Sequence, residues 1–364
     1  MCMAVPLLLR WPNREPAHDA LLALLKPDQI LGPELVPNAI TTGLWPGIRT
    51  PAKKGDADVA SASREPWIDA NGYLAAYHRA LGKPAILDHQ HDDPEKGVPF
   101  DSLELALIEA RVNGGNFVLN VEPRYRAALL ANDAKALEAW HSLARTAAWL
   151  RANEPLFTRP TLPAITQIVE PGDETAELAN LLYRRGACPA LTTQVPKPDP
   201  NRIQLLIAAS LKKPPAGLYE HAFAGATVVI DYAHPKGWTT VKQDEDRTIY
   251  SHGKGRVVAY HTPIGDPSEF ALDCIDLLTH RRRAARLWNA SAAIPIATAG
   301  GVLHIIQYGG PVENEIQARV QGIYKLATLH RPDAPPLPLK IYHRGGTTEV
   351  FPPAIRRLAV VQFE

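Results

Sequence analysis

Acidic and histidine side chains crowd together directly after one apolar run of the sequence. Residues 85–97 read AILDHQHDDPEKG, so Asp88, His89, His91 and Asp92 follow what the pattern predicts to be a buried strand. His89 and His91 are two residues apart, and in extended chain both rings face the same side, which suits zinc if an acid is the third ligand. No fourth donor stands at a recognisable spacing. A polar loop that hydrogen-bonds a ligand is the alternative interpretation.

Two further acidic residues follow predicted strands at positions comparable to that of Asp88. Glu34 comes after DQILG, and Glu122 comes after NFVLN. Two carboxyl groups on either side of a glycosidic bond are the usual machinery of its hydrolysis, one of them as proton donor. We therefore predict Glu34 or Glu122 as the donor and Asp88 as the nucleophile or base. Acids after strands also cap helices or stay solvated, and an ion pair with Arg124 is the structural alternative for Glu122.

Flat and polar side chains near these acids are candidates for holding a sugar. Trp45 and Trp67 carry rings that match the apolar face of a pyranose, although Trp67 is equally suited to pack at the start of the following helix. The predicted substrate-binding residues are Trp45, Trp67, His89, His91, Asp92 and Arg124.

The order of predicted elements divides the chain into three regions. Residues 1–158 alternate short apolar runs with helical periodicity, which predicts parallel strands covered by helices. Residues 159–288 repeat this alternation as a small open α/β sheet. Residues 289–364 alternate apolar and polar positions between Gly and Pro turns, as an antiparallel β-sandwich does. The fold class is therefore α/β multidomain.

Three stretches carry a resemblance to a known family. They are EPWIDANGYLAAYHRALGKPAILDHQHDD with LELALIEARVNGGNFVLNVEPR, then TAELANLLYRRGACPALTTQVPKPDPNRIQLLIAASL with GKGRVVAYHTPIGD, and finally LHIIQYGGPVENEIQARVQGIYKLATLHRP with GGTTEVFPPAIRRLAVVQFE. Together they resemble the C-terminal part of a family 42-type beta-galactosidase or a related (β/α)8-barrel glycoside hydrolase. The resemblance implies a partial (β/α) barrel, a flavodoxin-like or amidotransferase-like middle domain and a C-terminal antiparallel β-sandwich. It also implies hydrolysis of β-linked sugars.

The resemblance indicates where the family's catalytic residues would stand in this sequence, and it shows one difference from the family. The family's nucleophile follows its seventh barrel strand, which PAILDH matches, so Asp88, Asp92 or Asp93 stands where a Glu is expected. Its general acid follows the fourth strand and has no counterpart, because only about four strand and helix units are predicted instead of eight. Open sheet edges that paired between two chains would give a homodimer. A non-catalytic carbohydrate-binding or assembly module, and a metal-dependent hydrolase using His89 and His91, are the alternatives.

The composition of the chain argues against several other classes of protein. Among 364 residues, 39 Lys and Arg balance 38 Asp and Glu, so no overall field favours nucleic acid or a membrane surface. Three scattered cysteines argue against a disulfide framework. No run is long enough to span a bilayer, and no Gly-rich phosphate loop opens a helix. We expect a soluble, cytoplasmic homo-oligomer with a carbohydrate substrate and no cofactor.

Overall fold

The computed structural model describes residues 5–12, 14–42, 44–48, 67–89, 97–231, 237–278, 284–290, 292–312 and 314–364. Within these ranges the strands and helices form three successive units along the chain. The chain is thus a mixed α/β protein with several sheets. None of the described helices is long and apolar enough to cross a membrane.

The first unit contains a parallel sheet of five strands in the order β2-β1-β7-β6-β3. Its strands are β1 (Leu8–Arg10), β2 (Gln29–Leu31), β3 (Ile40–Thr42), β6 (Ile86–His89) and β7 (Asn116–Asn120), and a small antiparallel pair adds β4 (Gly47–Ile48) and β5 (Ile68–Asp69). Its helices are α1 (Asp19–Leu25), α2 (Gly72–Ala80), α3 (Ser102–Val112), α4 (Pro123–Leu130) and α5 (Ala134–Ala152). In the described residues, β2 and β3 are the two edges of this sheet.

Helix α5 shows how the sequence forms and buries its elements. Asp133 caps the helix, because its side chain accepts a hydrogen bond from the backbone N–H of Ala136 at 2.9 Å. The three-to-four spacing of apolar residues predicts one buried face, and the structure buries Trp140, Ala144, Ala147 and Leu150. Trp140 packs edge-on against Trp11, which follows β1, with ring centroids 5.7 Å apart. The helix therefore packs beside the chain that follows the first strand of the sheet.

The second unit is a seven-stranded sheet in the order β12-β13-β14-β11-β10-β8-β9. Five strands are parallel and an antiparallel hairpin extends one edge. The strands are β8 (Ile165–Ile168), β9 (Ala190–Thr192), β10 (Leu205–Ala208), β11 (Thr227–Ile230), β12 (Thr239–Gln243), β13 (Arg247–His252) and β14 (Gly255–Tyr260), with helices α6 (Asp173–Arg184), α7 (Leu218–Ala224) and α8 (Pro267–Asp276). Its central strands are buried and apolar, as strands covered on both faces must be.

The third unit consists of two antiparallel sheets whose apolar residues share one core. The four-stranded sheet contains β15 (Ala285–Trp288), β18 (Gln317–Gln321), β22 (Thr347–Val350) and β21 (Ile341–Arg344), in that order. The five-stranded sheet contains β16 (Ala293–Thr298), β17 (Val302–Gln307), β23 (Leu358–Phe363), β19 (Ala327–Arg331) and β20 (Ala334–Pro338), in that order.

Among the elements that the sequence pattern does not predict are β3 and α4. The strand β3 begins at Ile40 and runs into a region that we expect to be a long connection, because three residues are too few to give a periodic signal. Helix α4 begins directly after Glu122 with Pro123 at its first position, where proline is favoured. The first sheet therefore has five strands, one more than the four predicted.

Candidate functional site

The predicted acids lie beyond the strand ends at one edge of the first sheet. All five strands are parallel, so their C-terminal ends lie side by side at one end of the sheet. We call this end the carboxyl edge, which is distinct from the edge strands β2 and β3. Asp88 lies at the end of β6, Glu34 three residues beyond β2, and Glu122 two residues beyond β7. In (β/α) enzymes, catalytic side chains are drawn from such strand ends.

Asp88 is buried and paired with Arg10, the last residue of β1. The Arg10 guanidinium contacts both carboxylate oxygens: Nη1 bonds Oδ1, and Nη2 donates to Oδ2 at 2.8 Å. The side chain of Arg10 is 6% exposed and that of Asp88 is fully buried. Strand β7 lies between β1 and β6, so the pair spans three neighbouring strands. A two-pronged pair of this kind fixes geometry as well as charge.

The connection from β2 to β3 is attached to the same ion pair. Arg10 Nη2 donates to the carbonyl of Glu34 at 2.7 Å, and Nε donates to the carbonyl of Gly32 at 3.3 Å. The backbone N–H of Val36 donates to Asp88 Oδ2 at 3.2 Å. Residues 32–36 therefore lie over the pair and separate Asp88 from solvent.

Glu34 and Glu122 have different surroundings. Glu34 is exposed, and its carboxylate bends back toward Gly32, where an added Cβ would lie 2.6 Å from Oε2. The Glu122 side chain is only 8% exposed and accepts a hydrogen bond from Arg124 Nε at 3.2 Å. The predicted structural alternative for Glu122, an ion pair with Arg124, is thus present. Arg124 also donates to the carbonyl of Val98 at 2.7 Å.

His89 is packed rather than open. Its ring meets Trp45 and Phe117 edge-on, each with centroids 5.0 Å away. Its Nε2 lies 3.3 Å from Asn71 Nδ2, and because an amide nitrogen only donates, Nε2 is the acceptor. Asn120 Nδ2 donates to the His89 carbonyl at 2.9 Å. The structure therefore brings the predicted residues Trp45 and His89 together at the end of β6.

Trp67, another predicted binding residue, lies away from the end of β6. Trp67 donates from Nε1 to Asp69 at 3.2 Å, and the guanidinium of Arg184 in α6 lies 4.6 Å from its ring centroid. Trp67 thus contacts the second unit. His91 and Asp92 lie outside the described residues, and so does Asp93. In the described part of the chain, no three His, Cys, Asp or Glu side chains are placed to hold a metal ion.

Sequence reasoning missed a buried polar network behind His89. Asn71 contacts His89 through its side chain, while its backbone N–H donates to Glu109 Oε1 at 2.7 Å. Tyr308 of the third unit donates to the same oxygen at 2.7 Å, and its hydroxyl lies 3.2 Å from that of Tyr183. Burial raises the pKa of Glu109 to about 7. The network therefore links all three units to the end of β6.

One of the missed residues carries a signal in the sequence. Arg10 ends the apolar run PLLLR, and a cation at the end of a buried strand needs a partner. The partners of Glu109 have no such signal, because Tyr308 lies 199 residues away along the chain.

Comparison with known proteins adds information at the level of the fold. The chain matches no protein-family model, and it matches no curated protein. Among solved structures it is similar to an alpha-L-fucosidase, isoenzyme 2, from Paenibacillus thiaminolyticus, with a TM-score of 0.55 and 9% identity over 80% of this chain and 62% of that one. It is also similar to a beta-galactosidase from Bacillus circulans sp. alkalophilus, with a TM-score of 0.49 and 10% identity over 80% and 57% of the two chains.

The similarity to the alpha-L-fucosidase is one of fold alone: the chain has a fold that is found in a glycoside hydrolase. The chain spans less than two thirds of the length of either solved structure.

Proposed function

We propose that the chain is a glycoside hydrolase-like protein that hydrolyses a β-linked sugar, as a beta-galactosidase does, at the carboxyl edge of its first sheet. The fold supports the glycoside hydrolase class, and the resemblance of the sequence to family 42-type beta-galactosidases is the ground for a β-linked sugar. The observation that carries the proposal is the position of Asp88 at the end of β6 and of Glu34 and Glu122 just beyond the ends of β2 and β7, three parallel strands of one sheet. Two such carboxylates meet the chemical requirement of glycosidic cleavage.

Each acid has a proposed role that follows from its surroundings. Asp88, which the Arg10 guanidinium holds in place through both carboxylate oxygens, is the proposed nucleophile or base. Glu122 is nearly buried and Glu34 is exposed, and either is the proposed proton donor. Residues 32–36 cover Asp88, so catalysis at this carboxylate requires that they move aside when the sugar binds.

The proposed organisation of the fold follows the same resemblance. Residues 1–158 are a partial (β/α) barrel, 159–288 a flavodoxin-like domain and 289–364 a β-sandwich. The strand order supports the barrel, since the first strand β1 pairs with the last strand β7, as in a closed barrel. The gap in the cyclic order then falls between β2 and β3.

A second candidate is a non-catalytic carbohydrate-binding or assembly protein. The full burial of Asp88, with both oxygens bonded to Arg10, favours it, because such a carboxylate cannot reach a substrate in this conformation. The open edge at β2 favours assembly into a homodimer, since Ile30 and the nearby Leu35 are exposed. A molar mass of one chain in solution would remove the homodimer from this proposal.

The test is hydrolysis of p-nitrophenyl glycosides of β-galactose, β-glucose and α-fucose by the purified chain. We expect turnover of a β-glycoside that falls by at least about 100-fold in Asp88→Asn and in Glu122→Gln or Glu34→Gln. Glu138→Gln on the exposed face of α5 is the matched control and should keep full activity. A folded wild-type protein that turns over none of these substrates but binds a sugar would refute hydrolysis and support the second candidate.

A further inference from the structure

A cavity of about 180 Å³ lies at the edge of the first sheet opposite to the carboxyl edge. Val5 precedes β1 and Gly115 precedes β7, so the cavity lies at the strand starts, next to the end of α5. Its volume far exceeds the ~10–15 Å³ that one water needs, and it is smaller than the ~300–1,000 Å³ of drug-sized sites. We call it the arginine cavity, and it is lined by Val5, Arg79, Arg111, Gly114, Gly115, Leu150, Arg151, Glu154, Phe157 and Thr158.

The charges that line the arginine cavity do not balance. Arg79, Arg111 and Arg151 supply three guanidinium groups, and among the described residues that line the cavity Glu154 is the one carboxylate. Glu154 is engaged, because its Oε1 accepts the backbone N–H of Val5 at 3.0 Å. The cavity is therefore electropositive, and an anion is the occupant that its charge favours.

The three arginines are held in place mostly by backbone carbonyls. Arg79 donates to the carbonyl of Asn113 at 3.1 Å. Arg111 donates to the carbonyl of Val5 at 2.7 Å, and Arg151 donates to that of Leu25 at 3.0 Å. Carbonyls fix the position of a guanidinium without cancelling its charge. Among the described residues, Arg151 alone of the three also approaches a carboxylate outside the cavity, that of Asp28 at 3.7 Å.

Two details indicate a built site rather than a packing defect. The buried Nε of Arg111 has no hydrogen-bond partner in the described part of the chain, although Arg111 is only 9% exposed. Gly114 has φ +71°, and a Cβ there would collide with the Arg79 guanidinium, so glycine leaves the room that this side chain occupies. A buried donor without a partner is costly unless a ligand or water accepts from it.

We propose that the arginine cavity binds a small organic anion, with a carboxylate or phosphate head against Arg79 and Arg111 and an apolar part against Leu150 and Phe157. Guanidinium groups match the planar or multi-oxygen geometry of these heads. The site lies at the opposite edge from the proposed hydrolytic residues, so it is independent of the proposed function.

The experiment is calorimetric titration of the full chain with hexanoate and with phenyl phosphate, and with hexanol and phenol as uncharged counterparts. We expect at least one anion to bind with a Kd below about 1 mM, and the matching alcohol to bind at least about tenfold more weakly. Arg79→Met, which keeps an apolar stem, should weaken anion binding about tenfold or more. Arg344→Met, at an exposed arginine of β21, is the matched control and should leave it unchanged.

Several outcomes would overturn the proposal. They are equal binding of the alcohol and the anion, no anion binding at millimolar concentration, or unchanged affinity in Arg79→Met. Arg111 is unsuitable for the test, because it holds the chain at Val5. If Arg79→Met fails to fold, Arg151→Met removes another guanidinium of the cavity and should also weaken anion binding, because it lowers the positive charge there. Hydrolysis of glycosides by Arg79→Met should stay at the wild-type level, which separates this site from the carboxyl edge.

Discussion

Replacement of the buried Arg10 by Met should lower the stability of the first unit more than removal of an exposed charge does. The change leaves Asp88 buried with no cation, and it also removes the donors to the carbonyls of Gly32 and Glu34. Breaking a buried ion pair by removing one partner typically costs about 3–5 kcal/mol, because the remaining charge stays desolvated. For a unit of this size, about 2–4 °C per kcal/mol predicts a fall of roughly 6–20 °C in Tm.

The assay is thermal unfolding followed by near-ultraviolet circular dichroism, since Trp11 and Trp140 pack together in the core of this unit. Arg14→Met is the control, because Arg14 pairs with Asp19 and both side chains are more than half exposed. Such surface pairs contribute about 0–1 kcal/mol. The double variant with Arg10→Met and Asp88→Leu removes both charges and should recover most of the lost stability. The reasoning is refuted if Arg10→Met unfolds at the same temperature as Arg14→Met, or if the double variant is no more stable than Arg10→Met alone.

Three further predictions concern the buried groups and a close backbone contact. Burial raises the pKa of Glu109 from 4.5 to about 7, so between these pH values the folded protein keeps a proton that the unfolded chain loses. Stability of roughly 3 kcal/mol, present below pH 4.5, is therefore lost as the pH rises to about 7. Glu109→Gln should flatten urea-unfolding free energies between pH 5 and 7, and an unchanged slope would contradict this. Burial lowers the pKa of His304 to about 4 from 6.5, so stability should fall by roughly 3 kcal/mol as the pH drops from 6.5 to 4. His304→Gln should remove that fall in the same assay, with Arg14→Met as the unaffected control. Gly255→Ala should cost about 1–3 kcal/mol, because its Cβ would clash with backbone carbonyls, while Gly265→Ala has open space and should melt like the wild type.

Local patterns in the sequence predict most of the helices and the buried strands. The face of α5 and the strand before Asp88 follow from spacing and composition, because burial on one side imposes a period on the apolar residues. The strand β3, with three residues, gives no such period. The helix α4 is not predicted, because it begins at Pro123, shortly after the end of a strand.

The candidate site is predictable only in part. The acids Glu34, Asp88 and Glu122 are found from their positions after strands, since parallel strands end together. Their partners are not found in this way: Asp88 pairs with Arg10 across 78 residues, and this pairing decides that it is buried. Trp67, predicted to contact a sugar, packs against Arg184, because the second unit folds against this part of the first.

The sequence by itself determines most of the helices and buried strands and which acids follow those strands, since these properties depend on neighbours a few residues apart. The tertiary structure alone decides which charges meet and which cavities remain. The Arg10–Asp88 pair and the Glu109–Tyr308 contact join residues 78 and 199 positions apart. The arginine cavity likewise gathers Arg79, Arg111 and Arg151 from three helices. Such contacts arise when sheets and helices pack together, and they cannot be predicted from the local periodicity of a sequence.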